Sequence, residues 1–131
     1  MKSIFALVLI TFLSIPAFAQ MDAGGPTHAV AEYEAILELY KSAKKLSSKE
    51  LGCETNSDCL ELELGSLACG GPQEYLTASK FNRNLTEIKY LARRSVVREN
   101  QYNIDYGINS ICIVRAPGIP KCYKKQCVVN Y

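Results

Sequence analysis

The chain has 131 residues, and its 15 Lys and Arg nearly balance 13 Asp and Glu, for a formal net charge of +2. That balance gives no electrostatic basis for binding nucleic acid or an anionic membrane. A length of this order holds one domain with a modest core, and the single histidine offers little to acid–base catalysis.

In chain order, Lys2 precedes an apolar run from Ile4 to Ile15 broken only by Thr11 and Ser14, and Pro16 leads into Ala17-Phe18-Ala19. Positive charge, apolar run and small-residue site in this order predict a signal peptide over residues 1–19, cleaved before Gln20. A run this short, stopped by Pro16, falls below the roughly 20 apolar residues of a bilayer span. No cysteine borders the cleavage point, so the mature chain is expected to be periplasmic or secreted, without a membrane anchor. Residues 20–28 are small, polar and Gly-rich and read as a flexible mature N-terminus; residues 29–131 read as a single disulfide-bonded domain.

Val30, Tyr33, Ile36 or Leu37, Tyr40 and Ala43 or Lys44 recur at three and four, which predicts a helix from about Ala29 to Leu46. Thr27 or Asp22 could cap it, and Ser47-Ser48 ends it. A polar link follows. Cys59 to Leu64 then alternates, with Leu60, Leu62 and Leu64 on a core face and Cys59, Glu61 and Glu63 on a wet face. Cys69-Gly70-Gly71-Pro72 is a sharp turn.

Beyond it, Leu85, Ile88, Leu91, Ala92, Val96 and Tyr102 form a second helical stripe, with Arg93, Arg94 and Glu99 off it. Asn82 or Asn84 could cap this helix, and Gly107 lies past its end. Ile111 to Val114 alternates like a strand, and Cys122-Tyr-Lys-Lys-Gln-Cys127 followed by Val128-Val129 predicts a hairpin with a basic tip. The fold class is therefore α+β: a small antiparallel sheet with two amphipathic helices, stabilised by disulfides.

All six cysteines, Cys53, Cys59, Cys69, Cys112, Cys122 and Cys127, follow the signal and read as a disulfide framework. Five and nine residues separate the first three, and nine and four the last three. This near-mirror spacing suggests nested pairs, Cys69 with Cys112, Cys59 with Cys122 and Cys53 with Cys127. A local alternative joins Cys53 to Cys59 and Cys122 to Cys127. The spacings suit structural zinc poorly, and no metal or cofactor is expected.

Catalytic candidates are few. His28 falls in or beside the flexible N-terminal arm, poorly placed for a base that must be held in fixed geometry. Glu61 and Glu63 superficially resemble a carboxylate pair, but alternation on a wet strand face explains them more simply. The segment Arg115, Ala116, Pro117, Gly118 and Ile119, closed between Cys112 and Cys122, is the candidate binding loop. Arg115 in a proline-stiffened loop is how a serine-protease inhibitor would present a substrate-like residue, whereas Pro117-Gly118 alone makes an ordinary turn.

The run Cys59…Cys69-Gly70-Gly71-Pro72…Tyr75-Leu76, with the Cys112…Pro120…Cys122…Cys127 ending, resembles a group of small exported cysteine-rich bacterial proteins of unassigned function. The resemblance implies export to the periplasm and a shared disulfide scaffold, and no catalytic residue. The expected function is a non-enzymatic exported domain that binds an unknown protein or other macromolecule. Serine-protease inhibition through the Arg115 loop is the alternative, and a low-activity hydrolase the second.

Overall fold

The computed structural model describes residues 25–130 apart from 112, 114 and 115, and of 130 the backbone alone. Helix α1 (Pro26–Ser47) is followed by a single 3-10 turn (Asn56–Asp58), β1 (Cys59–Leu64), β2 (Glu74–Ser79), α2 (Leu85–Asp105), β3 (Ile119–Tyr123) and β4 (Gln126–Asn130). Both the class and the two helices are as expected. The antiparallel pairing, however, is divided into two two-stranded sheets, β1 with β2 and β3 with β4.

α1 starts three residues earlier than its periodicity suggested. Pro26 occupies the first turn, where its missing N–H costs nothing, and Gly25 precedes it without a side-chain cap. Thr27 therefore lies inside the helix, and Asp22 lies outside the described residues. At the other end, the Asn82 amide donates to the carbonyls of Leu46 (3.0 Å), Ser47 (3.3 Å) and Glu50 (3.1 Å), satisfying acceptors that the end of α1 leaves open. Its own oxygen accepts the Asn84 N–H at 2.8 Å. Asn82 thus ties the end of α1 to the start of α2, and Asn84 is the N-cap residue of α2 without using its side chain.

α2 closes with a Schellman motif. Gly107 takes φ +59°, and the N–H groups of Gly107 and Ile108 reach back to the carbonyls of Ile104 (3.3 Å) and Asn103 (2.9 Å).

β1 matches its predicted bounds. Its partner β2 did not stand out in the sequence, and the pair runs in register with Leu62 opposite Leu76 and Leu60 opposite Ala78. Leu64, Leu76 and Ala78 pack with Ala43 of α1 and with Ile88, Leu91 and Ala92 of α2, while Leu62 and Leu85 close the margin of the same core. Leu64 and Ile88 are fully buried, and each stabilises the fold by about 1.5–3 kcal/mol through burial. Leu60 is half-buried at the end of the strand, outside this cluster.

The opposite face of β1 is less wet than its glutamates implied. Cys59 is buried there in a second, smaller core with Cys53 and Cys127, roofed by the β3–β4 hairpin. The hairpin is sewn to the loop before β1 by Cys127 N–H to Leu51 O (2.8 Å), Cys53 N–H to Lys125 O (3.2 Å) and Cys122 N–H to the Asn56 side-chain oxygen (2.9 Å).

Two disulfides complete the union, Cys53–Cys122 and Cys59–Cys127. Neither is a member of the nested set or of the local set. The two segments lie side by side so that the first cysteine of each pairs, and the second of each pairs, giving an interlocked arrangement. The expected Cys69–Cys112 bond involves Cys112, outside the described residues. The strand expected over Ile111–Val114 is not formed where it is described: Ile111 and Ile113 are irregular and exposed, with Val114 outside the described residues.

Candidate binding cleft

The helices run antiparallel along a shared seam. α1 contributes Tyr33, Ile36, Tyr40, Ala43 and Ser47, and α2 contributes Ile88, Ala92, Ser95, Glu99 and Tyr102 with its C-cap residue Tyr106, each set at alternating steps of three and four. Such a stripe keeps one face of a helix turned to its neighbour. Toward the start of α1 and the end of α2 the seam turns from aliphatic to aromatic. The rings of Tyr33 and Tyr102 lie 5.4 Å apart and those of Tyr102 and Tyr106 4.7 Å apart.

Glu99 lies at the base of this aromatic section and is only 4% exposed. One carboxylate oxygen, Oε2, accepts the Tyr40 hydroxyl in a short hydrogen bond and the Ser66 N–H at 2.7 Å. Burial, followed by the Glu99 hydrogen bond and charge, pushes the Tyr40 phenol far above its ordinary range. Tyr33 is raised as well, by burial first and then by the charge of Glu99. The Tyr40 phenol therefore stays a neutral donor to Glu99.

The backbone leaving β1 is shaped around this group. Gly65 adopts φ +66°, and a Cβ there would collide with the Tyr40 hydroxyl and the Glu99 carboxylate. Its N–H donates to the Ser95 hydroxyl at 3.1 Å, and the Asn103 amide donates to Ser66 O at 2.7 Å. The turn after β1 is thus clamped onto α2 at successive residues.

Above Glu99 opens a cleft of about 330 Å³. The tyrosine pair Tyr33 and Tyr102 forms one wall, Leu67, Ala68 and Ile108 supply apolar surface, and Gln73, Asn103 and Ser110 add polar groups. At the far end of the seam, the His28 ring meets the Tyr106 hydroxyl at 2.8 Å, and that hydroxyl donates to Glu32 at 3.2 Å.

His28 therefore belongs to the first turn of α1 and is not part of an arm. Its neighbours there are a phenol and a carboxylate, and among the described residues no serine or cysteine is a hydrogen-bond partner. Glu61 is half-buried and accepts the Gly118 N–H at 3.2 Å, whereas Glu63 is exposed. This bond anchors one end of the expected binding loop to β1. Ala116 and Pro117 are exposed, Gly118 is half-buried, Ile119 begins β3, and Arg115 lies outside the described residues. The sulfurs of Cys53, Cys59 and Cys127 lie within 4.8 Å of one another, but all three are committed to disulfides and offer no thiolate to a metal.

The sequence pattern does not disclose the cleft, because its charge sets Glu99 apart from the apolar stripe. One signal for it was present: Ile88, Ala92, Ser95, Glu99 and Tyr102 continue the three-four alternation without a break. No protein-family model matches the chain, and no curated protein and no solved structure matches it.

Proposed function

We propose that the chain is an exported, non-enzymatic, disulfide-stabilised domain that binds a protein partner through the cleft between α1, α2 and the turn after β1. The observation that carries this reading is the buried carboxylate of Glu99 beneath an open, tyrosine-walled cleft. Tyrosines offer large rigid contact area at little entropic cost, and short polar side chains beside them adapt their hydrogen bonds to a ligand. The volume, about 330 Å³, suits a side chain or a short segment of a partner. Export is supported by the order of charge, apolar run and small-residue site before Gln20, and by oxidised cysteines, which persist in exported proteins. No helix among the described residues is long and apolar enough to cross a membrane.

The test is site-specific photocrosslinking in the producing cells. A photoreactive residue in place of Leu67, on the cleft wall, is expected to trap a discrete adduct, and one in place of Lys124, at the hairpin tip, none. The absence of an adduct from position 67, or the same adducts from both positions, would overturn the reading.

A further inference from the structure

The second oxygen of Glu99 has no hydrogen-bond donor among the described residues. Both donors, the Tyr40 hydroxyl and the Ser66 N–H, reach Oε2, and no described residue donates to Oε1. Among the described residues, no fully buried side-chain oxygen or nitrogen lacks a hydrogen-bond partner, so Oε1 reaches the open space of the cleft that Glu99 lines. The ion pairs of the described residues involve Glu32, Glu38, Glu50 and Glu74, and none involves Glu99. Its two donors are neutral groups. A carboxylate this buried, held by neutral donors and with no cation beside it among the described residues, gains from a cation supplied from outside.

The walls indicate which cation. A tyrosine ring presents a negative face, so the Tyr33–Tyr102 wall favours positive charge and disfavours a second anion. Leu67, Ala68 and Ile108 would cover a hydrocarbon stem, and Lys and Arg side chains carry such a stem behind the charged head. A bare inorganic cation would leave that apolar surface unused.

We infer that the cleft receives a basic side chain of the partner, with its ammonium or guanidinium on Glu99 Oε1, its flank on Tyr33 and Tyr102, and its stem on Leu67, Ala68 and Ile108. The inference rests on the proposed binding role and names the chemistry that the cleft recognises.

The experiment is a nuclear magnetic resonance titration of the isotope-labelled, oxidised chain with three capped tripeptides, Gly-Lys-Gly, Gly-Arg-Gly and Gly-Gln-Gly. The lysine or the arginine peptide is expected to shift the amides of Ser66, Leu67 and Asn103 saturably, and the stronger of the two identifies the side chain. The glutamine peptide is expected to bind at least tenfold more weakly. Glu99→Gln keeps an acceptor for Tyr40 and Ser66 and should lower affinity for the basic peptides about tenfold, to that of the glutamine peptide. Should Glu99→Gln fail to fold, Tyr33→Leu keeps the carboxylate and should weaken the basic peptides severalfold while leaving the glutamine peptide unchanged. Equal binding of all three peptides would overturn the cationic specificity and leave the cleft as a binding site. Shifts that survive Glu99→Gln would overturn the role of the carboxylate. The absence of shifts with any peptide would overturn the inference, while crosslinking at position 67 separately decides the broader reading.

Discussion

Gly65 and Glu99 define each other's surroundings. The carboxylate occupies the space that a side chain on residue 65 would need, and the positive φ of Gly65 turns the chain so that Ser66 N–H meets that carboxylate. Gly70 also has a positive φ, of +95°, but faces open space. Gly70→Ala should therefore cost about 1–2 kcal/mol, the backbone strain alone, and Gly65→Ala about 3–5 kcal/mol, because the collision adds to the strain. Urea unfolding of the oxidised variants measures both; equal costs would mean that close approach is not what requires glycine at 65. At this scale the sequence was partly readable. Tyr33, Tyr40 and Tyr102 stand in the apolar stripes, where an aromatic residue is ordinary core material. Charge alone removed Glu99 from its stripe, although its spacing kept it there. The donors that make a buried carboxylate tolerable come from residues 59 and 33 positions away in the chain, a conjunction that no local pattern reveals.

The elements that could be read were those whose patterns run long. α1 and α2 carry their stripes in helices of 22 and 21 residues, about six turns each, and β1 alternates over its whole length. β2 has only Leu76 and Ala78 facing the main core, and it follows directly on a glycine–proline turn, so its period had too few repeats to register. Ile111 and Ile113 erred the other way: apolar alternation there serves no sheet, and both side chains are exposed.

The β3–β4 hairpin was readable from its ends, though its turn is unusual in composition. Lys124 and Lys125 take φ of +49° and +64°, the two-residue geometry that suits the twist of a hairpin but favours Asn-Gly. Lysines there carry left-handed strain, offset in part by the Lys124 ammonium over the Tyr123 ring at 5.3 Å. Replacing them together, Lys124→Asn with Lys125→Gly, should stabilise the oxidised protein by about 0.5–1 kcal/mol net. A rise in the urea midpoint at constant slope is the expected result, and a fall would mean that the basic tip contributes more than its backbone costs.

Over the whole molecule, cysteine pairing was the feature least open to sequence reasoning. A near-mirror spacing suits nested bonds when two segments run antiparallel, yet here 53–59 and 122–127 meet with like ends together. Only the path of the chain between them decides that, and it runs through β2 and both ends of α2.

The interlocked pairs have sequence separations of 69 and 68, so either bond alone removes much the same freedom from the unfolded chain, about 4 kcal/mol on the chain-entropy estimate. With one bond in place, the other closes an effective loop of only about a dozen residues and adds about 3 kcal/mol. Removing either pair by double Cys→Ala substitution should thus cost about 3 kcal/mol, and removing both about 7 kcal/mol, more than twice the single loss. Denaturant titration of the three variants checks this, and simple additivity would count against it.

Asn82, by contrast, brings the end of α1 and the start of α2 to the same end of the domain as these covalent ties, and β1 carries the chain from Cys59 there to Gly65 beside the cleft. One end of the domain is fastened by the interlocked disulfides, while α1 and α2 meet beside the cleft through side chains. The first turns of α1 and the last of α2 are consequently where residual disorder can be stored, and a partner entering the cleft must quench it. Its gross affinity is reduced by that ordering, and once bound it holds these two helix ends together as Asn82 holds the other two.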